Sequence, residues 1–190
     1  QMALQMAADS NGGGSFHQAC LTGDLAEMAW LLDGGADPGR ATGRGQSPTA
    51  STGMTPLMAA AMGGHPEVLR LLLARGATVD AADPGSGCTA FHTARFNNQP
   101  ECAQALAASG CDVATANSDG NTALIFAAHE GHKAVVAWLL GEGGAAGTVE
   151  AQNEAGFTAF LLACNSGRLD CARALAAAGC DVAATSSDGS

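Results

Sequence analysis

Five histidines, seven cysteines and 26 glycines are the residues of this 190-residue chain best equipped for chemistry. A zinc site would need thiols or imidazoles in closely spaced pairs. The cysteines stand at 20, 88, 102, 111, 164, 171 and 180, and no two of them form a CxxC pair. His129 has Glu130 beside it, but no further ligand lies at metal-binding spacing. A cysteine nucleophile needs a basic partner that lowers its pKa, and no Cys–His–Asn arrangement is recognisable. A phosphate cradle would need the order G-x-x-x-x-G-K-[ST] after a strand. The glycine-rich stretch "GDLAEMAWLLDGGADPGRATGRG" has neither. The chain is therefore expected to be non-catalytic and to use no metal or cofactor.

Composition narrows the remaining classes. A hydrophobic fraction of 47% with 14% charged residues suits a folded chain. Aromatics are only 4%, so the core must be made of Ala and Leu, which requires close helix contact. Eight basic residues stand against 18 acidic ones, a net charge of −10. Phosphate neutralisation depends on Lys and Arg, so nucleic acid and anionic membranes are not the expected partners. No apolar run approaches the roughly 20 residues of a membrane span. The first residues, "QMALQMAADSNGGGS", carry no basic region of a signal peptide. They also lack an initial Met, so the chain is expected to be processed or cut from something longer.

The elements that would position any functional residue repeat along the chain. Thr55, Thr89, Thr122 and Thr158 each open a T-[PA]-[LF] word and are spaced 34, 33 and 36 residues apart. An earlier copy, "SFHQACLTGDLAEMAWLLDGGAD" (Ser15–Asp37), lacks the Thr but aligns its Gly23 with Gly64, Asn98, Gly131 and Gly167. "ECAQALAASGCDVATANSDG" and "DCARALAAAGCDVAATSSDG" are nearly identical at an offset of 69 residues, two units. In each unit the Thr hydroxyl would cap a short Ala-rich helix. A left-handed Gly would turn the chain, and a second helix would follow, begun by Pro66 or Pro100 and closed by Gly76, Gly110 or Gly179. A polar stretch with Asp or Asn and Gly returns as a hairpin-like turn.

"MTPLMAAAMGGHPEVLRLLLARGATVD" (Met54–Asp80) resembles the ankyrin repeat, word for word over most of its length. The resemblance covers residues 15–190 and implies an all-α solenoid of stacked helix pairs. Its units fall at residues 15–40, 53–82, 87–116, 120–151 and 156–186, with a sixth begun at 187–190. Residues 1–14 form an N-terminal segment with a Gly-rich linker, "NGGGS". Arg95, Asn98-Gln99 and Arg168 depart from the pattern, which suggests local irregularity. Ser187 to Ser190 reads as a turn into a further unit. The natural protein is thus expected to continue, or to meet an end-on neighbour there.

The resemblance assigns most of the reactive residues to structure. His17 and His92 fall on the H of T-P-L-H, and His65 and His132 on the Gly-His turn. All four would bond backbone or Thr hydroxyls. Cys20, Cys102, Cys111, Cys164, Cys171 and Cys180 would be small buried hydrophobes, with Cys88 alone at an exposed variable position. In this family partners touch the hairpin tips and the variable residues after Ala-Ala, on the concave face. That implies binding roles for Met54, Met62, Phe96, Asn97, His129, Glu130, Phe157 and Asn165, with Ser166 beside the last. At the tips it implies Asp83, Asp119 and Glu154. Phe96 and Phe157 could equally fold back as core. The insertion "DPGRATGRGQSPTASTG" (Asp37–Gly53) holds Arg40 and Arg44. It is either a tolerated surface insertion or a finger reaching an acidic or phosphorylated partner. The shorter one, Gly141–Glu150, reads as plain loop.

The function expected is protein binding as a scaffold or adaptor, with a partner carrying a basic surface. Two alternatives remain: the ankyrin portion of a larger enzyme, channel or ligase subunit, and a permanent structural subunit of a large assembly. The expected location is intracellular, in the cytoplasm or, after loss of a transit peptide, in an organelle.

Overall fold

The computed structural model describes residues 12–41 and 53–186. Among them are ten α-helices in five antiparallel pairs: α1 (Gly12–Thr22) with α2 (Leu25–Asp33), α3 (Pro56–Gly63) with α4 (Pro66–Ala74), α5 (Ala90–Phe96) with α6 (Pro100–Ala108), α7 (Ala123–Glu130) with α8 (Lys133–Leu140), and α9 (Ala159–Asn165) with α10 (Leu169–Ala177). No named strand occurs among the described residues; an isolated bridge joins Ala116 and Thr122. The chain divides into two compact units. The first holds α1–α6. The second holds α7–α10 and the short segment Ser86–Cys88.

The local chemistry of each helix pair explains its limits. Thr55, Thr89, Thr122 and Thr158 are extended N-caps whose hydroxyls accept the N–H of Met58, His92, Ile125 and Leu161. All four are buried. Each such bond satisfies an orphan donor of the first turn and is worth about 1 kcal/mol. Asp24 does the same for α2, accepting from Ala26 and Glu27. At the far end, Gly76, Gly110 and Gly179 take φ of 94, 83 and 88°. The residue after each donates back into the helix: Ala77 to Leu72, Cys111 to Leu106, Cys180 to Leu175. This is the Schellman closure, and it buries the side chain after the glycine. Ala77, Cys111 and Cys180 are buried for that reason.

First helices pack on first helices and second on second: α3 on α1 and α5, α4 on α2 and α6 in the first unit, α9 on α7 and α10 on α8 in the second. Ala59, Ala60 and Ala61 are buried together in α3, and Ala127 and Ala128 in α7. Such small residues permit the close approach that stands in for bulk. Larger side chains, among them Leu69, Leu72, Leu106, Leu139 and Leu175, seal the second helices.

Several expectations are corrected. Helix α1 already begins at Gly12, so the "NGGGS" linker is helical from there on. A helical Gly costs about 1 kcal/mol relative to Ala, and the burial of Phe16, Ala19 and Cys20 one turn later overrides it. The Gly141–Glu150 stretch is not plain loop. It contains a 3-10 turn (Ala146–Thr148) with Ala145 and Val149 buried. A Cβ on Gly143 would come within 2.5 Å of the Trp138 ring. Cys164 is exposed rather than buried. Its counterparts Cys20, Ala61 and Ala128 each lie in a first helix covered by the first helix of the next pair, and among the described residues no further first helix packs on α9. The turn at 187–190 lies outside the described residues.

Candidate functional site

The residues proposed to meet a partner separate by unit. In the first unit, Met62 at the end of α3 is 37% exposed and Phe96 at the end of α5 is 51% exposed. Large apolar side chains normally turn inward in a chain with so few aromatics. Phe96 is therefore not core, which decides the alternative left open by its sequence position. Met54 is half-buried, and its carbonyl accepts from His17 Nε2 at 2.9 Å. Asn97 is half-buried too, with its amide held by the Thr93 carbonyl at 2.9 Å. Arg40 is exposed in a turn bracketed by Asp37. Arg44 lies outside the described residues.

Asp83 is not an exposed tip. It is buried, and a Cβ on Gly53 would run into its carboxylate. Gly53 has φ 113°, so chain conformation and space both demand glycine opposite this side chain. Cys88 is half-buried rather than exposed, with Asn117 Nδ2 3.8 Å from its sulfur.

In the second unit the loops form a stacked ladder. Ser118 N–H donates to the Ser86 carbonyl and Glu154 N–H to the Asp119 carbonyl, both at 2.9 Å. Asn117 and Asn153 hold the turns, each accepting on Oδ1 from the backbone two and four residues on. Asn153 Nδ2 also donates to Asn121 Oδ1 at 2.9 Å. Asp119 and Glu154 are thereby fixed side by side and exposed. Phe157 is half-buried. On the helices, His129 and Asn165 are exposed and Glu130 is half-buried. His129 Nε2 is 3.8 Å from Glu130, and Ser166 Oγ lies 2.9 Å from His129 Nδ1.

One positioning device reaches from one helix pair to the pair before it. His65 Nε2 donates to the carbonyl of Leu21, one pair earlier, at 3.0 Å. Arg168 does the equivalent in the second unit, from Nε to the His129 carbonyl at 3.1 Å. Each lies across a left-handed glycine. A Cβ on Gly23 would meet His65, one on Gly64 would meet Gln99, and one on Gly131 would meet Arg168. Arg168 is thus no irregularity but a third side chain for the same task, identifiable by its alignment with His65. Arg95 is likewise accommodated: fully buried, its guanidinium stands 4.9 Å from the centre of the Phe91 ring. Burial pushes its pKa down to about 10.

Four of the buried thiols are held in their neutral form by burial. Burial pushes Cys20 up to about 12 and Cys102 up to about 11, and it also raises Cys171 and Cys180. A thiol with a raised pKa is a poor nucleophile at neutral pH. Cys20 donates to Met28 Sδ at 3.4 Å and acts as packing. Among the described residues no group of three or more His, Cys, Asp or Glu could hold a metal ion. No helix among them is long and apolar enough to cross a membrane.

Comparison with known proteins agrees with this architecture. The family model for ankyrin repeats (three copies) matches residues 16–117 and again residues 94–186. An ankyrin repeat and KH domain-containing protein (mask-1) of Caenorhabditis elegans is 34% identical over 132 residues, 70% of this chain and 4% of that protein. A homolog of transient receptor potential cation channel subfamily A member 1, from the same organism, is 33% identical over 132 residues, 70% of this chain and 10% of that protein. A probable E3 ubiquitin-protein ligase of Oryza sativa subsp. japonica, XBOS34, is 38% identical over 101 residues, 51% of this chain and 19% of that protein. The chain spans less than a fifth of the length of these curated relatives. With the repeated Thr cap, the glycine pegs and a family match over nearly all the described residues, this chain belongs to the ankyrin-repeat family of protein–protein interaction modules.

Proposed function

We infer that the chain is a non-catalytic adaptor surface that binds a partner protein through its first-helix faces and loop tips. The observation that carries this is the pair Met62 and Phe96. They are exposed at the ends of α3 and α5, two first helices that pack on each other. Met and aromatic side chains on a rigid, pre-ordered surface make efficient anchors, because little conformational entropy is lost on binding. Asp119 and Glu154 on the second unit, with a net charge of −10, favour a partner with a basic surface, mainly through its association rate. Taken unit by unit, Met54, Asn97 and Arg40 are the first unit's further candidate contacts, and His129, Glu130, Phe157 and Asn165 are the second unit's.

A second reading is favoured by the small share of each relative that the chain spans. Those relatives are named for KH domains, a cation channel and a ubiquitin ligase. In this reading the chain is the partner-recruiting part of a larger polypeptide whose activity lies elsewhere.

Cross-linking mass spectrometry on the native complex tests both, with intact mass recorded from the same preparation. Lys133 is the only lysine, so a carboxylate-reactive linker is required. Links from Asp119 or Glu154 to another chain, at a native mass near 18.7 kDa for this one, support the adaptor. A much larger native mass supports the second reading. Links confined to other surfaces overturn the assigned face.

A further inference from the structure

Ser166, His129 and Arg168 bring three kinds of hydrogen-bond donor together on the second unit, in the turn after α9 and the end of α7. Ser166 Oγ lies 2.9 Å from His129 Nδ1, and Arg168 Nε is tied to the His129 carbonyl at 3.1 Å. That bond uses one of the five N–H donors of a guanidinium. Arg168 is exposed, and its stem is laid over Gly131, where a Cβ would come within 2.8 Å of Arg168 Cδ.

The charge balance here is unusual for so acidic a chain. Glu130 stands 3.8 Å from His129 Nε2, and Asp170 on α10 stands 3.6 Å from Lys133. Among the described residues no carboxylate forms an ion pair with Arg168. In the first unit the same peg position is filled by His65 and Gln99, neither of which carries a permanent charge. The peg alone therefore does not require arginine. What arginine adds is a fixed, planar, multi-donor cation suited to carboxylate and phosphate oxygens.

We propose that Ser166, His129 and Arg168 form a subsite for an oxyanion, the carboxylate or phosphate group of a bound partner. It rests on the reading of this chain as a partner-binding surface and specifies one contact within it. The guanidinium binds two oxygens, the Ser166 hydroxyl donates to one, and the His129 ring flanks them. A partner suited to this chain then carries an acidic or phosphorylated residue within an otherwise basic surface.

The test needs no partner. Isotope-labelled full chain is titrated with sodium acetate and, separately, with sodium phosphate, at constant ionic strength held by chloride. NMR follows the Arg168 Nε–H, the His129 ring and the amides of Ser166 and Gly167. Saturable shifts at these groups are expected. Arg168→Gln should weaken the binding by about tenfold or more, as loss of a charged hydrogen-bond partner implies. Gln99 already serves as a peg in the first unit, so this variant keeps the fold, which its amide spectrum will show. If it does not, Ser166→Ala replaces it, with a severalfold weakening expected. Saturation by acetate alone identifies a carboxylate site, and by phosphate alone a phosphate site; saturation by both supports the site without discrimination. No saturation with either, or equal affinity in the variant, overturns the proposal. Partner cross-linking that misses this face would count against the wider reading while leaving this measurement as it stands.

Discussion

Arg168 donates its Nε–H to the main-chain carbonyl of His129, 39 residues earlier, at 3.1 Å. The bond closes the step between two helix pairs where His65 closes another by reaching Leu21. Removing the side chain should loosen that step. Arg168→Ala is expected to cost about 0.5–1 kcal/mol, one solvent-accessible hydrogen bond. Arg168→Gln should cost less than half of that. Chemical denaturation of the three proteins checks the order, and equal stability of all three would show that the peg contributes nothing.

The left-handed glycines separate two effects that sequence cannot. Gly120→Ala meets both a φ of 77° and the main chain of the next loop, with Glu154 N 2.9 Å and Asn153 Cα 3.0 Å from the new Cβ. Gly110→Ala meets only its φ of 83°, with nothing within 4 Å. A left-handed alanine costs about 1–2 kcal/mol, and overpacking adds about 1 kcal/mol or more. Gly120→Ala should therefore be the more destabilising in urea melts.

The threonine caps should behave as a set. Thr122→Ala is expected to lose about 1–2 kcal/mol, and Thr122→Ser to retain most of it, since the hydroxyl oxygen that accepts from Ile125 is kept. A thermal melt of both variants is sufficient.

Cys20 gives the chain an alkaline limit. Its pKa rises on folding from 9.0 to about 12, so the folded form retains a proton that the unfolded chain gives up between those values. Its contribution is fully present below pH 9 and falls as pH rises from 9 toward 12. Melting temperature should decline over that window, and Cys20→Ala should decline less steeply from a lower start. Alkylation at neutral pH should label Cys164 before Cys20, Cys102 or Cys171.

Binding should part from folding at the exposed pair. Met62→Glu with Phe96→Glu is expected to abolish partner capture and leave helicity and melting temperature nearly unchanged. A fall in helicity would mean that these side chains hold the first unit together.

The sequence was most legible where structure is set within a few residues. Thr122 caps Ile125, Gly110 follows its helix and Cys111 turns inward by local rules, so word spacing sufficed. It failed where burial depends on a neighbour one pair away. Cys164 and Ala128 hold the same place in their helices. One is bare and the other covered, because the first helix α9 packs on α7 but among the described residues no further first helix packs on α9. Asp83 reads as a polar tip, and only its approach to Gly53 shows it to be buried. Arg168 breaks the Gly-His word, yet it performs the histidine's task because its acceptor is distant in sequence.

Both pegs that reach a carbonyl, His65 and Arg168, grip the main chain two residues before a left-handed glycine, at Leu21 and at His129, the place in the unit where the side chain is variable. A carbonyl is the same whichever amino acid bears it. Replacement at 21 or 129 therefore leaves the clamp its acceptor. This scaffold can change what it recognises without renegotiating how it is held together, and the division between the two tasks runs through single residues, backbone on one side and side chain on the other.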